Sequence, residues 1–192
     1  MKHISHTNSI QNFHFENIIF FDTEFTHLDV EVGELLSIGL VKQTGEELYL
    51  ELEYSGKKIH PWVKKKVLPY LLGDTVTKKT ARKKLRDFFI PRGEALRGKS
   101  KKKGERAPYL MSYVNQFDAI FWYKLFGDPK KHPAFWIPLD FASILFAYGY
   151  DPESMRQDSF FTELGIDKSK FKLHNALEDA KMLKEVYEKI RF

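Results

Sequence analysis

The segment IIFFDTEF, residues 18–25, decides how the rest of the chain is interpreted. It begins with an apolar run, and a short run of this kind is typical of a buried strand in the middle of a sheet. Asp22 and Glu24 follow at the end of the run, and residues two apart in a strand project to the same face. Two like charges held close together are costly unless a cation or a proton neutralises them. The segment therefore predicts a site for an oxygen-preferring divalent cation such as Mg²⁺, although an ordinary acidic turn has the same short pattern.

Length and composition favour one folded α/β domain. The chain has 192 residues, of which 43% are hydrophobic and 15% aromatic, enough for a sizeable core. It contains no cysteine, which excludes disulfides and thiolate metal sites and is compatible with the reducing cytoplasm, where we expect the protein to act. No apolar run approaches the ~20 residues that span a membrane, so we expect no membrane partner. We interpret residues 1–17 as a polar N-terminal extension and residues 18–192 as the domain.

Charge is distributed unevenly along the chain. Residues 57–106 contain 18 Lys or Arg and 4 Asp or Glu, whereas the remainder contains 13 and 22. A basic half suits a polyanionic partner, and an acidic half suits cation-dependent chemistry. A solvated lysine-rich surface without a partner is the alternative. Residues 92–108, rich in Gly, Lys and Arg, predict a basic loop.

Hydrophobic periodicity predicts strands and helices in a mixed order. Strands are predicted at residues 18–21, 35–41, 47–53 and 109–114, and helical patterns at residues 60–72, 76–89, 117–125, 139–148 and 159–164. The clearest helix is the last, which carries one apolar stripe from Ala176 to Ile190. Asn175 and Glu178 have the spacing of a capping box, so this helix should begin there and leave His174 in the preceding loop.

Three short signals follow one another in the chain. Asp22 and Glu24 end a strand, Asp118 lies at a strand-to-helix junction, and His174 and Asp179 flank the start of the last helix. In this order and context the five residues resemble the DEDDh 3′→5′ exonucleases of the DnaQ-like superfamily, and the resemblance covers nearly the whole chain. It implies a ribonuclease H-like α/β fold with a mixed five-stranded sheet flanked by helices.

Within that superfamily the chain is most similar to the RNase AS-type exoribonucleases. The similarity rests on residues 21–25 (FDTEF), 36–39 (LSIG) and 60–63 (HPWV). It implies a homodimer and a preference for adenosine-rich 3′ ends. Oligoribonuclease, RNase T and the proofreading subunits of DNA polymerases share the same catalytic pattern, and the basic loop has no counterpart in it.

The resemblance also implies roles for the five residues. Two divalent ions, Mg²⁺ or Mn²⁺, lie roughly 4 Å apart in such sites and assist the attacking water and the leaving oxygen. We assign Asp22 as the bridging ligand, Glu24 and Asp179 to the ion on the nucleophile side, and Asp118 to the second ion, directly or through water. His174 is the expected general base, since imidazole titrates near neutral pH.

Each of these residues also has an ordinary structural explanation. Asp118 would suit any helix start, Asp179 a solvated helix surface, and His174 a surface loop. Their ordered coincidence favours a catalytic site, whereas His27 and His60 fit no motif and are interpreted as structural.

We therefore expect a metal-dependent exonuclease that hydrolyses single-stranded RNA to nucleoside 5′-monophosphates. Phe25 is the predicted stacking partner of the terminal base, and the backbone amides of Phe25 and Thr26 are predicted to bind the terminal sugar. A 3′→5′ DNA exonuclease of the proofreading type and a non-catalytic nucleic-acid-binding domain are the alternatives.

Overall fold

The computed structural model describes residues 17–90, 107–128 and 131–190. Within these ranges six strands form one sheet: β1 (Ile18–Phe25), β2 (Leu35–Lys42), β3 (Glu47–Leu52), β4 (Thr75–Val76), β5 (Tyr109–Ser112) and β6 (Leu139–Asp140). The α-helices of the same ranges are α1 (Pro61–Lys66), α2 (Lys78–Phe89), α3 (Gln116–Phe126), α4 (Phe141–Ala147), α5 (Asp158–Glu163) and α6 (Ala176–Lys189).

The sheet has the order β4-β3-β2-β1-β5-β6, with β1 in its interior. β2 pairs antiparallel with both β1 and β3, whereas the β1–β5, β3–β4 and β5–β6 pairs are parallel. Every strand except β2 therefore runs in one direction. The carboxyl ends of these five strands lie at the same edge of the sheet, which we call the carboxyl edge.

Hydrophobic clusters cover both faces of β1, as its apolar run predicts. Ile19 and Phe21 belong to a cluster with residues of α2 and α3. Ile18 and Phe20 belong to a second cluster with residues of α4, α5 and α6. Because both faces of the strand are buried, the acids at its end are held by a rigid central element.

The start of α6 agrees with the sequence prediction. Asn175 is the N-cap, and its side-chain oxygen accepts hydrogen bonds of 3.2 Å from the backbone N–H groups of Leu177 and Glu178. The Glu178 carboxylate pairs with Lys181 at 3.1 Å on the same helix. The hydrogen bonds of the Asn175 side chain are enough to fix where the helix begins. His174 therefore lies in the preceding loop, as predicted.

The predicted α/β class is confirmed, with six strands instead of five. β4 and β6 contain two residues each, too few for a periodic pattern. The helix predicted over residues 139–148 begins later, because Asp140 belongs to β6 and accepts the Ser143 N–H at 2.9 Å to cap α4. The helix predicted over residues 60–72 is divided into α1 and a 3₁₀ turn at Leu68–Tyr70, because Pro69 lacks an N–H.

Some predictions fall outside the described ranges. Residues 1–16 of the predicted extension and 92–106 of the predicted basic loop belong to this group. Where the structure does describe helices, none has the length and apolar character needed to cross a bilayer.

Candidate active site

A cavity of about 730 Å³ opens at the carboxyl edge of the sheet. All five residues singled out by the sequence line it: Asp22, Glu24, Asp118, His174 and Asp179. They come from β1, from the first turn of α3, and from the start of α6 with its preceding loop. Residues that are distant in sequence are thus brought together in one place.

A glycine in β2 allows α6 to approach β1. Gly39 is the pairing partner of Asp22, and a Cβ at this position would lie 2.3 Å from the backbone of Ala176, far inside contact distance. The first turn of α6 therefore rests directly on the sheet. This close approach brings His174 and Asp179 beside the acids of β1.

Asp118 is held in place by Thr23, the residue between the two acids of β1. One oxygen of the Asp118 carboxylate accepts hydrogen bonds from the Thr23 N–H at 2.9 Å and from the Thr23 hydroxyl at 2.5 Å. Asp118 is only 5% exposed, so these bonds form away from water. They fix the start of α3 against the end of β1. They also set the orientation of the Asp118 carboxylate, and therefore of its second oxygen, without help from solvent.

His174 and Asp179 are linked through the backbone. The His174 N–H donates to the Asp179 carboxylate at 2.9 Å, and the His174 ring meets the Trp62 ring edge-on with centroids 4.8 Å apart. The backbone of Trp62 is held in turn by His60. The Nδ1 atom of His60 accepts a hydrogen bond from the backbone N–H of Trp62 at 3.2 Å and so caps α1. Side-chain ligand atoms of Glu24, His174 and Asp179 lie within 4.8 Å of one another, close enough to surround one metal ion.

Backbone strain is concentrated at this cavity. In the described ranges, the non-glycine residues with a left-handed backbone are Val114 (φ 54°) and His174 (φ 64°), and both line the cavity. Such a conformation costs of order 1–3 kcal/mol and is rare for a β-branched residue. Strain of this kind is common at functional sites, where the surrounding structure holds residues in unfavourable conformations.

The buried carboxyl groups raise one another's pKa. Burial, followed by repulsion from Asp118, Asp179 and Glu24, raises the pKa of Asp22 well above its usual range. Burial and the same kind of repulsion raise the pKa of Glu24 to about 8. Burial also raises the pKa of Asp118 and of Asp179 to about 7, although the Thr23 and His174 hydrogen bonds act in the opposite direction.

These residues fit a hard divalent cation. The four carboxylates offer oxygen ligands, which Mg²⁺ and Mn²⁺ prefer. Their raised pKa values mean that the cluster favours a positive partner, either protons or a cation.

His174 differs from the acids in its electrostatics. Burial, and then the positive charge of Lys66, lowers the pKa of the His174 imidazole. The ring is therefore neutral at pH 7 and has one nitrogen that is able to accept a proton.

Of the two residues predicted to bind substrate, one lies at the cavity and the other does not. Phe25 lines the cavity and is stacked on Phe121, with ring centroids 4.5 Å apart. Thr26 is fully buried, and its N–H already donates to the Glu34 carbonyl at 2.8 Å. The amide of Thr26 is therefore not available to a terminal sugar in this structure, and that part of the prediction disagrees with the geometry.

Other lining residues belong to none of the three catalytic signals in the sequence. They lie in loops and short helical turns, and they include Leu28, His60, Trp62, Tyr113, Arg156 and Lys168. His60, interpreted as structural from the sequence, both caps α1 and faces the cavity. The sequence signal that contains any of them is HPWV, residues 60–63, which includes His60 and the 46% exposed Trp62.

Comparison with known proteins gives no match by sequence: no family model and no curated protein matches the chain. By structure it is similar to E. coli exonuclease I in complex with a dT13 oligonucleotide, with a TM-score of 0.60 and 14% identity over 90% of this chain and 41% of that chain. The chain has the fold of the part of exonuclease I that it matches. A second exonuclease I complex, with a dA16 oligonucleotide, gives a TM-score of 0.60 at 13% identity over 90% of this chain and 41% of that one.

The zinc-bound complex of E. coli exonuclease I with single-stranded DNA gives a TM-score of 0.58 at 13% identity over 90% of this chain and 40% of that chain. The chain thus spans about 40% of the length of exonuclease I. The likeness confirms the predicted ribonuclease H-like fold, and the activity has to be argued from the site.

Proposed function

We propose that the protein is a divalent-metal-dependent 3′→5′ exonuclease that releases nucleoside 5′-monophosphates from single-stranded nucleic acid. The observation that carries this proposal is the convergence of four carboxylates and His174 on one cavity. Binding a polyanion requires no buried acids, and acids without a cation would repel it. The direction of hydrolysis and the product follow from the resemblance to the DEDDh exonucleases.

Asp22, Glu24, Asp118 and Asp179 would hold the metal ions. Divalent ions bound there supply electrostatic stabilisation of the charge that develops on the phosphate and on the leaving oxygen. The protein prepares the ligands in advance, since Thr23 fixes Asp118 and the His174 N–H fixes Asp179. Ligands held in this way need little reorganisation during the reaction.

His174 is the proposed general base. A water molecule attacks the terminal phosphorus, and the unprotonated ring nitrogen of His174 accepts the proton that the water loses. The bond from phosphorus to the 3′-oxygen of the preceding nucleotide breaks, and that oxygen takes up a proton from solvent to become the new 3′-hydroxyl. The lowered pKa keeps this nitrogen free at neutral pH. The Trp62 ring limits the orientations that the imidazole can take.

Single-stranded DNA is the first substrate to test. The similar solved structures hold dT13 and dA16 oligonucleotides, which supports DNA over the RNA expected from the sequence. RNA remains the second candidate because residues 21–25, 36–39 and 60–63 are similar to RNase AS-type enzymes. The adenosine preference and the homodimer belong to this second candidate, and a sizing measurement tests the dimer.

The experiment uses 5′-labelled single strands of DNA and RNA with one sequence, together with an adenosine homopolymer. Each is incubated with Mg²⁺, Mn²⁺ or EDTA. We expect a ladder that shortens from the 3′ end with either ion and is absent in EDTA. Faster decay of DNA supports the first candidate, and faster decay of RNA, above all of the homopolymer, supports the second.

The rival class is a catalytically silent binding domain. Such a domain would retain the labelled strand in a binding assay and leave its length unchanged with every ion. That result would refute the enzymatic proposal and leave the fold intact.

A further inference from the structure

Part of the basic half of the chain lies at the carboxyl edge, beside the cavity. The strands β3 and β4 end at this edge, and the segments that follow them carry the lysines. We define the basic edge as Lys57, Lys58, Lys64, Lys65, Lys66, Lys78 and Lys79. The same stretch, residues 53–79, contains only two acids, Glu53 and Asp74.

The lysines of the basic edge share their exposure and the lack of an acidic partner among the described residues. All seven are exposed, and none of them forms an ion pair within the described residues. Elsewhere, by contrast, Lys83 pairs with Asp87 at 3.2 Å, and Lys181 pairs with Glu47 at 2.9 Å. An uncompensated row of positive charge attracts a polyanion and repels cations.

Helix α1 directs part of this charge towards the cavity. Lys65 and Lys66 are three and four residues after Trp62, so the three side chains share one helix face. Val63 is buried against the core, and Trp62 lines the cavity.

Two further cations line the cavity, Arg156 and Lys168, and both are paired with acids. Arg156 contacts Glu153 at 3.0 Å, and Lys168 contacts Asp158 at 2.8 Å. The lysines of α1, which have no ion pair among the described residues, are therefore the available cations for a phosphate beside Trp62.

We propose that the basic edge binds the phosphates of a single strand on the 5′ side of the reacting end, so that the strand leaves the cavity over α1 and continues towards the start of α2. This inference rests on the proposed function, because it takes the 3′ end to lie in the cavity. Its partner is a flexible polyanion with regularly spaced phosphates. The contacts are with phosphates, so the surface adds affinity without base preference.

The test compares two double variants that each remove two positive charges. Lys65→Ala/Lys66→Ala removes lysines of the basic edge. Lys84→Ala/Lys189→Ala is the control, because both of its residues are exposed and Lys189 ends α6, a helix that begins at the cavity about 20 Å away. The ligand is a labelled single strand of about 12 nucleotides with phosphorothioate linkages at its 3′ end, and its Kd is measured over a range of salt concentrations.

Each phosphate contact with a single strand contributes about 0.7 to the slope of log Kd against log salt concentration. We therefore expect the slope of Lys65→Ala/Lys66→Ala to be smaller than that of the wild type by about 1.4, and the slope of the control variant to equal that of the wild type. Equal slopes for the two variants would overturn the inference. So would tighter binding of the wild type to anionic lipid vesicles than to the strand.

Nucleotide release by the wild type is measured in parallel on unmodified strands. A reduced slope together with absent release would refute the proposed function and retain the binding surface. Normal release together with unchanged slopes would retain the function and refute the surface.

Discussion

Replacing Gly39 with alanine should disconnect the two halves of the site. Gly39 pairs with Asp22 in the sheet, and its missing side chain is what allows the first turn of α6 to contact β2. An alanine Cβ would lie 2.3 Å from the carbonyl carbon of Ala176 and from the backbone nitrogen of Leu177. These are backbone atoms, so no side-chain rotation relieves the clash.

The size of the displacement follows from these distances. An ordinary carbon contact is about 3.5 Å, so the start of α6 has to move by at least about 1.2 Å relative to β2. His174 and Asp179 move with it, away from Asp22. A misplacement of about 1 Å at reacting groups costs on the order of 100-fold in rate. Overpacking of this kind also costs about 1–3 kcal/mol of folding free energy, or roughly 2–12 °C in Tm for a chain of this size.

The assay measures kcat/KM for release of the 3′-terminal nucleotide, together with Tm. Gly45→Ala is the matched control: Gly45 has a φ of +96° and open space around it, in the turn at the opposite edge of the sheet. It should lose about 1–2 kcal/mol of stability through backbone strain and retain its kcat/KM. If Gly39→Ala keeps kcat/KM within twofold of the wild type, the close approach of α6 does not position the site and the reasoning is refuted.

Three further predictions concern the same cavity. Burial raises the pKa of Asp22 well above its usual range, that of Glu24 to about 8, and those of Asp118 and Asp179 to about 7, against roughly 4 in the unfolded chain, so the folded state binds more protons. The Tm of the metal-free protein should therefore fall as the pH rises from about 5 to 9. Mn²⁺ should restore the Tm most at the alkaline end of this range. A Tm that rises with pH in EDTA would contradict this prediction. Thr23→Val removes the hydrogen bond from the Thr23 hydroxyl to Asp118 and should lower the free energy of unfolding by about 1.5–3 kcal/mol, measured with denaturant. Thr23→Ser keeps the hydroxyl and should be close to the wild type. Equal stability of the two variants would rule out a role for the hydroxyl. Trp62→Ala should lower kcat, and Trp62→Phe should largely restore it, because phenylalanine keeps an aromatic ring in contact with His174. An effect confined to KM would assign Trp62 to substrate contact instead.

The sequence predicts the elements whose signals are local. The apolar run before Asp22 identifies β1 because both faces of that strand are buried. Asn175 identifies the start of α6 because a cap acts within one turn of its helix. From these two local signals, together with Asp118 after a short apolar strand, the members of the candidate site could be named in advance.

The sequence does not predict features that depend on contact between distant segments. Thr23 and Asp118 are 95 residues apart, and nothing in the pattern around Thr23 indicates their hydrogen bonds. Gly39 lies in an ordinary apolar strand pattern, and its purpose becomes visible only when α6 is placed against it. Thr26 was predicted to bind substrate because it follows Phe25, whereas the fold turns its amide towards Glu34.

The most direct test of the central claim is the ion-dependent release of the 3′-terminal nucleotide by Asp22→Asn. Its control is Asp74→Asn, since Asp74 is exposed and lies outside the cavity. With Mg²⁺ or Mn²⁺, the wild type and Asp74→Asn should release nucleotide at equal rates, and Asp22→Asn should be slower by a factor of about 100 or more. Release by Asp22→Asn at the wild-type rate would show that the carboxylate cluster is not the catalytic centre.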